Sequence, residues 1–328
     1  MRHAVTLLAG EAGEATTHID HVVRTIDATG ANIDWKRHTL KDHQLSDELK
    51  ADVRQTRTMF MPFMQGLRDE GKPAPIVQAR REFGVFANHR PSKSLPGIGG
   101  RFEGVDLVVV RETTEDIYTS LEHESIKGMF EGLKVTTRAA CERIARHAFE
   151  YAQKTGRKKV TVVHKSNIMK KSDGLFLATA REVAKEFPDI TVEDRIVDAL
   201  CMQLTMWPDA FDVLLCANLF GDIVADVAAG LVGGLANTPS INVGQDGVRI
   251  YTVGHGKDLA QYNSEAGNPT SLLITAAIML RELGETDAAE RLENALRSCL
   301  ADGKKPLSIG GDLSLAAFCD AVIQAMPS

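Results

Sequence analysis

Along this chain of 328 residues, short β-branched runs alternate with stretches whose apolar residues recur every three or four positions. Ala4–Leu8, Val105–Val110, Lys159–Val163, Ile190–Ile196 and Val213–Cys216 are apolar-rich runs of strand length flanked by polar turns. Thr137–Thr155, Gly174–Glu186 and Pro269–Leu283 carry the helical period. The alternation predicts an α/β protein. The length exceeds one average domain, so two lobes are expected, joined by more than one crossing. Pro91–Arg101 (PSKSLPGIGGR) is the stretch richest in proline and glycine and a natural connection between lobes. A second glycine-rich passage, Gly230–Gly244, follows the helix that begins near Asp222.

Composition narrows the function classes. Apolar residues make up 44% and charged residues 25%, ordinary for a soluble globular protein. The net charge of −6 argues against a nucleic-acid binder, which needs a basic face, but leaves room for a small anionic substrate held by a local arginine cluster. The five cysteines are scattered and lack CxxC spacing, so neither a disulfide framework nor a zinc site is expected. No apolar run is long enough to span a bilayer, and the first residues read as a strand rather than a signal peptide. A soluble cytoplasmic protein is expected, or one of an organelle matrix after removal of a targeting peptide.

The segment Asn218-Leu-Phe-Gly-Asp222-Ile-Val-Ala-Asp226 follows the buried run VLLCA. Its two aspartates are four apart, so on a helix they share one face. Two carboxylates at a helix start just past a strand suit a hard divalent cation, Mg2+ or Mn2+. Taken alone, the pair reads first as a helix cap and a solvated aspartate, because aspartate is favoured at helix starts. Three arginines shift that balance: Arg80 in QARREFG, Arg90 ten residues on, and Arg111 at the end of VDLVVV. An arginine closing a buried strand points where α/β proteins place ligands, and guanidinium matches carboxylate in a planar, bidentate way. Lys165 closes the strand VTVVH, and Tyr118 lies seven residues past Arg111. A lysine buried near a metal can act as a base, and a tyrosine beside it can carry a proton. His164 reads as a satisfied core histidine.

Taken together, VDLVVVRETTEDIYTSLEHES, LKVTTRAACERIARHAFEYA, VHKSNIMKKSDGLF, IVDALCMQL and NLFGDIVADVAAGLVGGL resemble the isocitrate/isopropylmalate dehydrogenase family, with a texture nearest its NAD-dependent isocitrate dehydrogenase subunits. The resemblance implies a two-lobed α/β fold with a mixed parallel and antiparallel sheet and the active site in the interlobe cleft. It places residues 1–88 and 236–328 in a large cofactor domain and residues 89–235 in a small domain for dimerisation, metal and substrate. It implies a homodimer with shared active sites and a small di- or tricarboxylate substrate. Arg80, Arg90 and Arg111 would hold the substrate carboxylates. Asp222 and Asp226 would bind Mg2+ or Mn2+, joined by Asp198 of the partner subunit. Lys165, also from the partner, and Tyr118 would serve as base and acid, with Asn167 near the nicotinamide. The implied reaction oxidises a malate-type acid with hydride transfer to NAD and then releases CO2.

Three segments depart from the family pattern. The loop after the first strand reads Ala9-Gly-Glu-Ala-Gly-Glu14 where the family has GDGIGPE. Before the first arginine, Ala74 and Ile76 stand where isocitrate-specific members carry serine and asparagine. Ile76 and Val77 instead match the aliphatic pair of isopropylmalate enzymes and suit an apolar substituent. In the NAD loop, His255 and Asn268 keep the family spacing, but His255-Gly256-Lys257-Asp258-Leu259-Ala260 replaces HGSAPDIAG. A local shift would let Asp258 accept from the adenosine ribose. NAD is preferred over NADP, with Lys257 the residue placed to meet a 2′-phosphate. Two functions follow: a decarboxylating dehydrogenase with its arginine, aspartate, lysine and tyrosine set intact, or a regulatory or binding subunit with altered cofactor loops.

Overall fold

The computed structural model describes residues 2–11, 17–62, 73–254 and 267–327. The chain divides into two compact units, Met1–Gly84 with Ser94–Arg101 and Val232–Ser328, and Val85–Lys93 with Phe102–Leu231.

The first unit begins with β1 (His3–Glu11), α1 (Thr17–Asp27), β2 (Ile33–Leu40), α2 (Asp47–Thr56), β3 (Thr58–Phe60) and α3 (Pro75–Glu82). Local chemistry sets several of these boundaries. Ser46 accepts the Leu49 N–H at 3.1 Å and starts α2, which ends where Arg57 turns to φ 56°. Pro75 opens α3, where its missing N–H costs nothing.

The second unit follows with β4 (Ala87–Lys93), β5 (Asp106–Glu112), the hairpin β6 (Glu122–Ile126) and β7 (Met129–Gly132), α4 (Arg138–Thr155), β8 (Lys159–His164), α5 (Ser172–Ala184), β9 (Thr191–Ile196), α6 (Val197–Leu204), β10 (Val213–Cys216) and α7 (Asn218–Leu231). Its strands run in the order β4-β5-β10-β8-β9. β4 pairs antiparallel with β5, and the rest pair in parallel. The VLLC of β10 is buried throughout, as expected for a strand with parallel neighbours on both sides. α4 packs on β5 and α5, while α7 packs on β4 and β5, the contact that builds the site described below.

The chain then returns to the first unit with β11 (Pro239–Val243), β12 (Arg249–Val253), α8 (Thr270–Glu282), α9 (Thr286–Ala301) and α10 (Leu315–Ala325). Here β2-β1-β3-β12 are parallel neighbours and β11 runs antiparallel to β12. Val5, Leu7, Phe60, Tyr251, Leu273 and Leu296 belong to one buried core. The fold is therefore α/β, as the alternation predicts, with the mixed sheet pairing that the family resemblance implies. Among the described residues, no helix is long and apolar enough to cross a membrane.

The proline- and glycine-rich stretch has two parts. Pro91–Lys93 continue strand β4, while Ser94–Arg101 belong to the first unit. Within the latter, Gly97 has φ +71°, and a Cβ there would lie 2.1 Å from the Leu300 carbonyl oxygen. Gly97→Ala is expected to lower stability by more than ~1 kcal/mol in urea denaturation, because it adds backbone strain to a clash with main chain. An unchanged midpoint would show that the segment does not lie against α9.

Candidate active site

In the second unit the parallel strands end at one edge of the sheet, and the expected site residues gather at those carboxyl ends. β5 closes with Arg111, and Lys165 directly follows β8. Asp198 lies in the first turn of α6, straight after β9, and α7 begins two residues past β10.

Arg111 is 3% exposed. Its Nε and Nη2 donate to Asn218 Oδ1 at 3.0 and 2.7 Å, and its Nη1 donates to Asp222. The Tyr118 hydroxyl donates to the other oxygen of Asp222, and the Arg111 guanidinium lies 5.0 Å from the Tyr118 ring centroid. One turn further along α7, Arg90 Nη2 donates to Asp226 Oδ1 at 3.3 Å. Arg90 is itself buried, and its Nε has no hydrogen-bond partner among the described residues. Burial lowers the Arg90 pKa and the Asp226 and Asp222 carboxylates oppose that, so it remains a cation. Both aspartate side chains stay open to solvent, 41% and 56% exposed.

Two residues of this cluster carry no signal of their own in the sequence. Asn218 orients Arg111 and donates from Nδ2 to the Glu115 carbonyl at 3.0 Å. Gly221 allows Arg111 to cross α7, since a Cβ there would sit 2.6 Å from Arg111 Cγ. Both lie in the NLFGD motif, where the aspartate alone announces chemistry and the other two could be found only through their place beside it. The turn between Arg111 and Tyr118 is also built from side chains. Glu112 accepts the N–H groups of Thr114 and Glu115 at 2.8 and 3.0 Å, and burial pushes its carboxyl up.

A second cluster sits at the ends of β8 and β9. Lys165 Nζ donates to Asp198 Oδ1 at 2.5 Å and holds that carboxyl below its ordinary value. Asn167, two residues on, is exposed. His164 is a buried, fully bonded histidine. Its Nδ1 accepts the Ser166 N–H at 3.1 Å, which leaves Nε2 to donate to Asp194 at 3.1 Å.

The remaining expected residues lie in the first unit or outside the described residues. Arg80 Nε donates to Asn242 Oδ1 at 2.9 Å, and Ile76, one turn earlier on α3, is buried beside the partly buried Val77. Asn268 accepts the Thr270 N–H at 3.0 Å at the start of α8 and donates to Asn237 Oδ1 at 3.1 Å. His255, Gly256 and Asp258 lie outside the described residues.

Asp222 and Asp226 offer hard oxygen donors from one helix face, which fits Mg2+ or Mn2+ chemistry. Among the described residues of the single chain, no three acidic, histidine or cysteine side chains converge on one point. The pair alone could supply only part of a coordination shell.

The profile of the isocitrate/isopropylmalate dehydrogenase family matches residues 2–326. The chain belongs to that family. Its members are decarboxylating dehydrogenases that act on isocitrate or isopropylmalate. Among its relatives, the mitochondrial NAD isocitrate dehydrogenase catalytic subunit 5 of Arabidopsis thaliana is 38% identical over 327 residues, covering 97% of this chain and 87% of the relative. The 3-isopropylmalate dehydrogenase of Archaeoglobus fulgidus is 47% identical over 247 residues, 75% of each chain. The isocitrate dehydrogenase structure from Methylococcus capsulatus superposes with a TM-score of 0.90 at 37% identity, covering 98% of this chain and 99% of that one.

Burial and the bond to Asp222 raise the Tyr118 pKa from 10.0 to about 12. The folded protein then holds a proton that the unfolded chain has already lost, so this group's contribution to stability is present below pH ~10 and fades as pH rises toward 12. Titrating the metal-free protein by tyrosinate absorbance, wild type minus Tyr118→Phe should give a difference curve with its midpoint near 12. A difference curve centred near 10 would show that Tyr118 does not bond Asp222.

Proposed function

We propose that this member of the family oxidises and decarboxylates a 3-substituted malate with hydride transfer to NAD. The observation that carries the reading is the arrangement on α7. Two solvent-open carboxylates, Asp222 and Asp226, are each met by a buried arginine, and Tyr118 touches the first of them. Two buried guanidinium groups in one place favour an anion that can replace or share the aspartates.

In the proposed reaction, Arg90 and Arg111 hold the substrate carboxylates, with Arg80 as a further carboxylate ligand. Asp222 and Asp226, with Asp198 of the partner subunit, would hold a divalent cation, which would supply Lewis-acid polarisation of the substrate hydroxyl and stabilise the charge left when CO2 departs. Lys165 of the partner subunit takes the hydroxyl proton as hydride leaves the hydroxyl-bearing carbon for NAD. Tyr118, whose phenol is protonated at neutral pH, returns a proton to the carbon that loses CO2. Ile76 and Val77 face the substituent and suit an apolar group over a third carboxylate. Asn167, His255, Gly256, Asp258 and Asn268 are proposed to bind NAD, with NADP the less favoured cofactor.

A homodimer that shares its active sites accords with two surfaces of the second unit. The β6–β7 hairpin is exposed along its whole length, with Ile126 and Phe130 at 67% and 75%, and an isolated two-stranded hairpin is marginally stable in water. Ile168, Met202, Trp207 and Ile223 are also exposed apolar side chains of the kind that a partner covers. The alternative reading, a regulatory or binding subunit, draws on a relative of similar identity. The mitochondrial NAD isocitrate dehydrogenase regulatory subunit 1 of Arabidopsis thaliana is 40% identical over 329 residues, covering 98% of this chain and 89% of the relative.

With Mn2+ and NAD, at least one of isocitrate, isopropylmalate and a smaller alkylmalate should support steady NAD reduction by the isolated protein. Asp222→Asn keeps an acceptor for Arg111 but loses a charge, and should lower kcat/KM by about 100-fold or more. Binding of a tricarboxylate in calorimetry with no turnover of any of the three acids would favour the regulatory reading.

A further inference from the structure

We infer that Lys134 is a positioning residue that locks together the two segments bearing the proposed proton-handling groups, Lys165 and Tyr118. It lies just after β7, outside every group assigned above. Its side chain is 15% exposed, and it stands between two carboxylates that are themselves only 3% and 2% exposed, Asp116 and Asp173. The ammonium is 3.4 Å from Asp116 Oδ2 and 3.0 Å from Asp173 Oδ1, and it lies 5.0 Å from the Phe220 ring centroid on α7.

What the two carboxylates do with their other bonds gives the bridge its meaning. The second oxygen of Asp173 accepts the main-chain N–H of Lys165 at 2.6 Å. Asp116 accepts the N–H of Ile117 at 2.9 Å, directly before Tyr118, and the N–H of Leu219 at 3.0 Å, three residues before Asp222. A single cation thus ties the turn after β8, the turn after β5 and the first turn of α7 through their backbones. Asp116 also has φ 73° and ψ −153°, a region that residues other than glycine avoid and that tends to persist where surrounding contacts enforce it for function. A buried ion pair is in general weak evidence for stability, because desolvation offsets most of its attraction. Placement is where it acts: a shift of about 1 Å in a reacting group can cost 100-fold in rate. Among the described residues, Lys134 pairs with none of the proposed substrate or metal ligands, so it works through the backbone of the segments that carry them.

This inference rests on the reading of Lys165 and Tyr118 as base and acid, and the experiment separates the two. In the full-length chain, Lys134→Met should speed amide hydrogen exchange together at residues 164–167, 116–119 and 218–220. Exchange that rises only next to residue 134 would overturn the bridge, whatever the activity. In an active preparation, Lys134→Met should lower kcat by about 10- to 100-fold with KM for the acid unchanged, and Lys134→Arg should recover most of the loss. Should Lys134→Met fail to fold with two unpaired carboxylates inside, the double variant Lys134→Met/Asp173→Asn removes one charge and keeps an acceptor for the Lys165 N–H. It should show the same fall in kcat, and wild-type kcat in either folded variant would overturn the proposal. Absence of turnover in the wild type would count against the proposed function and leave the exchange result to decide the bridge.

Discussion

The pairing of Arg111 with Asp222 is the interaction on which the site depends. A guanidinium that is 3% exposed is costly to bury without partners, and it finds them in Asn218 and Asp222 on α7. That requirement fixes α7 against β5, and Gly221 permits it by leaving room for the arginine's stem. Once α7 is fixed, Asp226 falls one turn on and meets Arg90, while Tyr118 reaches Asp222 from the turn that Glu112 and Asp116 organise.

The same constraint explains why opposite charges are clustered and yet remain available. Each aspartate is paired with an arginine but keeps 41% or 56% of its side chain open. A bound cation would meet carboxylates already oriented by their arginines. A carboxylate substrate would meet two arginines whose desolvation was completed on folding, with Arg90 Nε lacking a partner among the described residues. Such preorganisation lowers the cost of assembling a charged transition state.

Parts of this were legible in the sequence because local rules governed them. The helical period of Thr137–Thr155 coincides with α4, its cap on Thr137 and its left-handed end at Gly156. Val213–Cys216 matches β10, since a strand with parallel neighbours on both sides is written as one continuous apolar run. The Asp222–Asp226 spacing shows a shared helix face, though only the accompanying arginines and the neighbouring motifs distinguish a site from a cap. Other parts depend on distant contacts. Nothing local marks Asn242 as the acceptor of Arg80, 162 positions away. The β6–β7 hairpin has no buried face to impose a period-two pattern, and Lys134 has no sequence neighbour that announces its two carboxylates. Pro91 reads as a break, yet it lies inside β4 opposite Val108.

A crystal structure with Mn2+ and the acid that the protein turns over tests the central claim most directly. The account predicts the ion roughly 2.0–2.3 Å from oxygens of both Asp222 and Asp226, with Arg90 and Arg111 on the substrate carboxylates. An ion bound elsewhere, with Arg111 and Arg90 still occupied by the two aspartates alone, would contradict it.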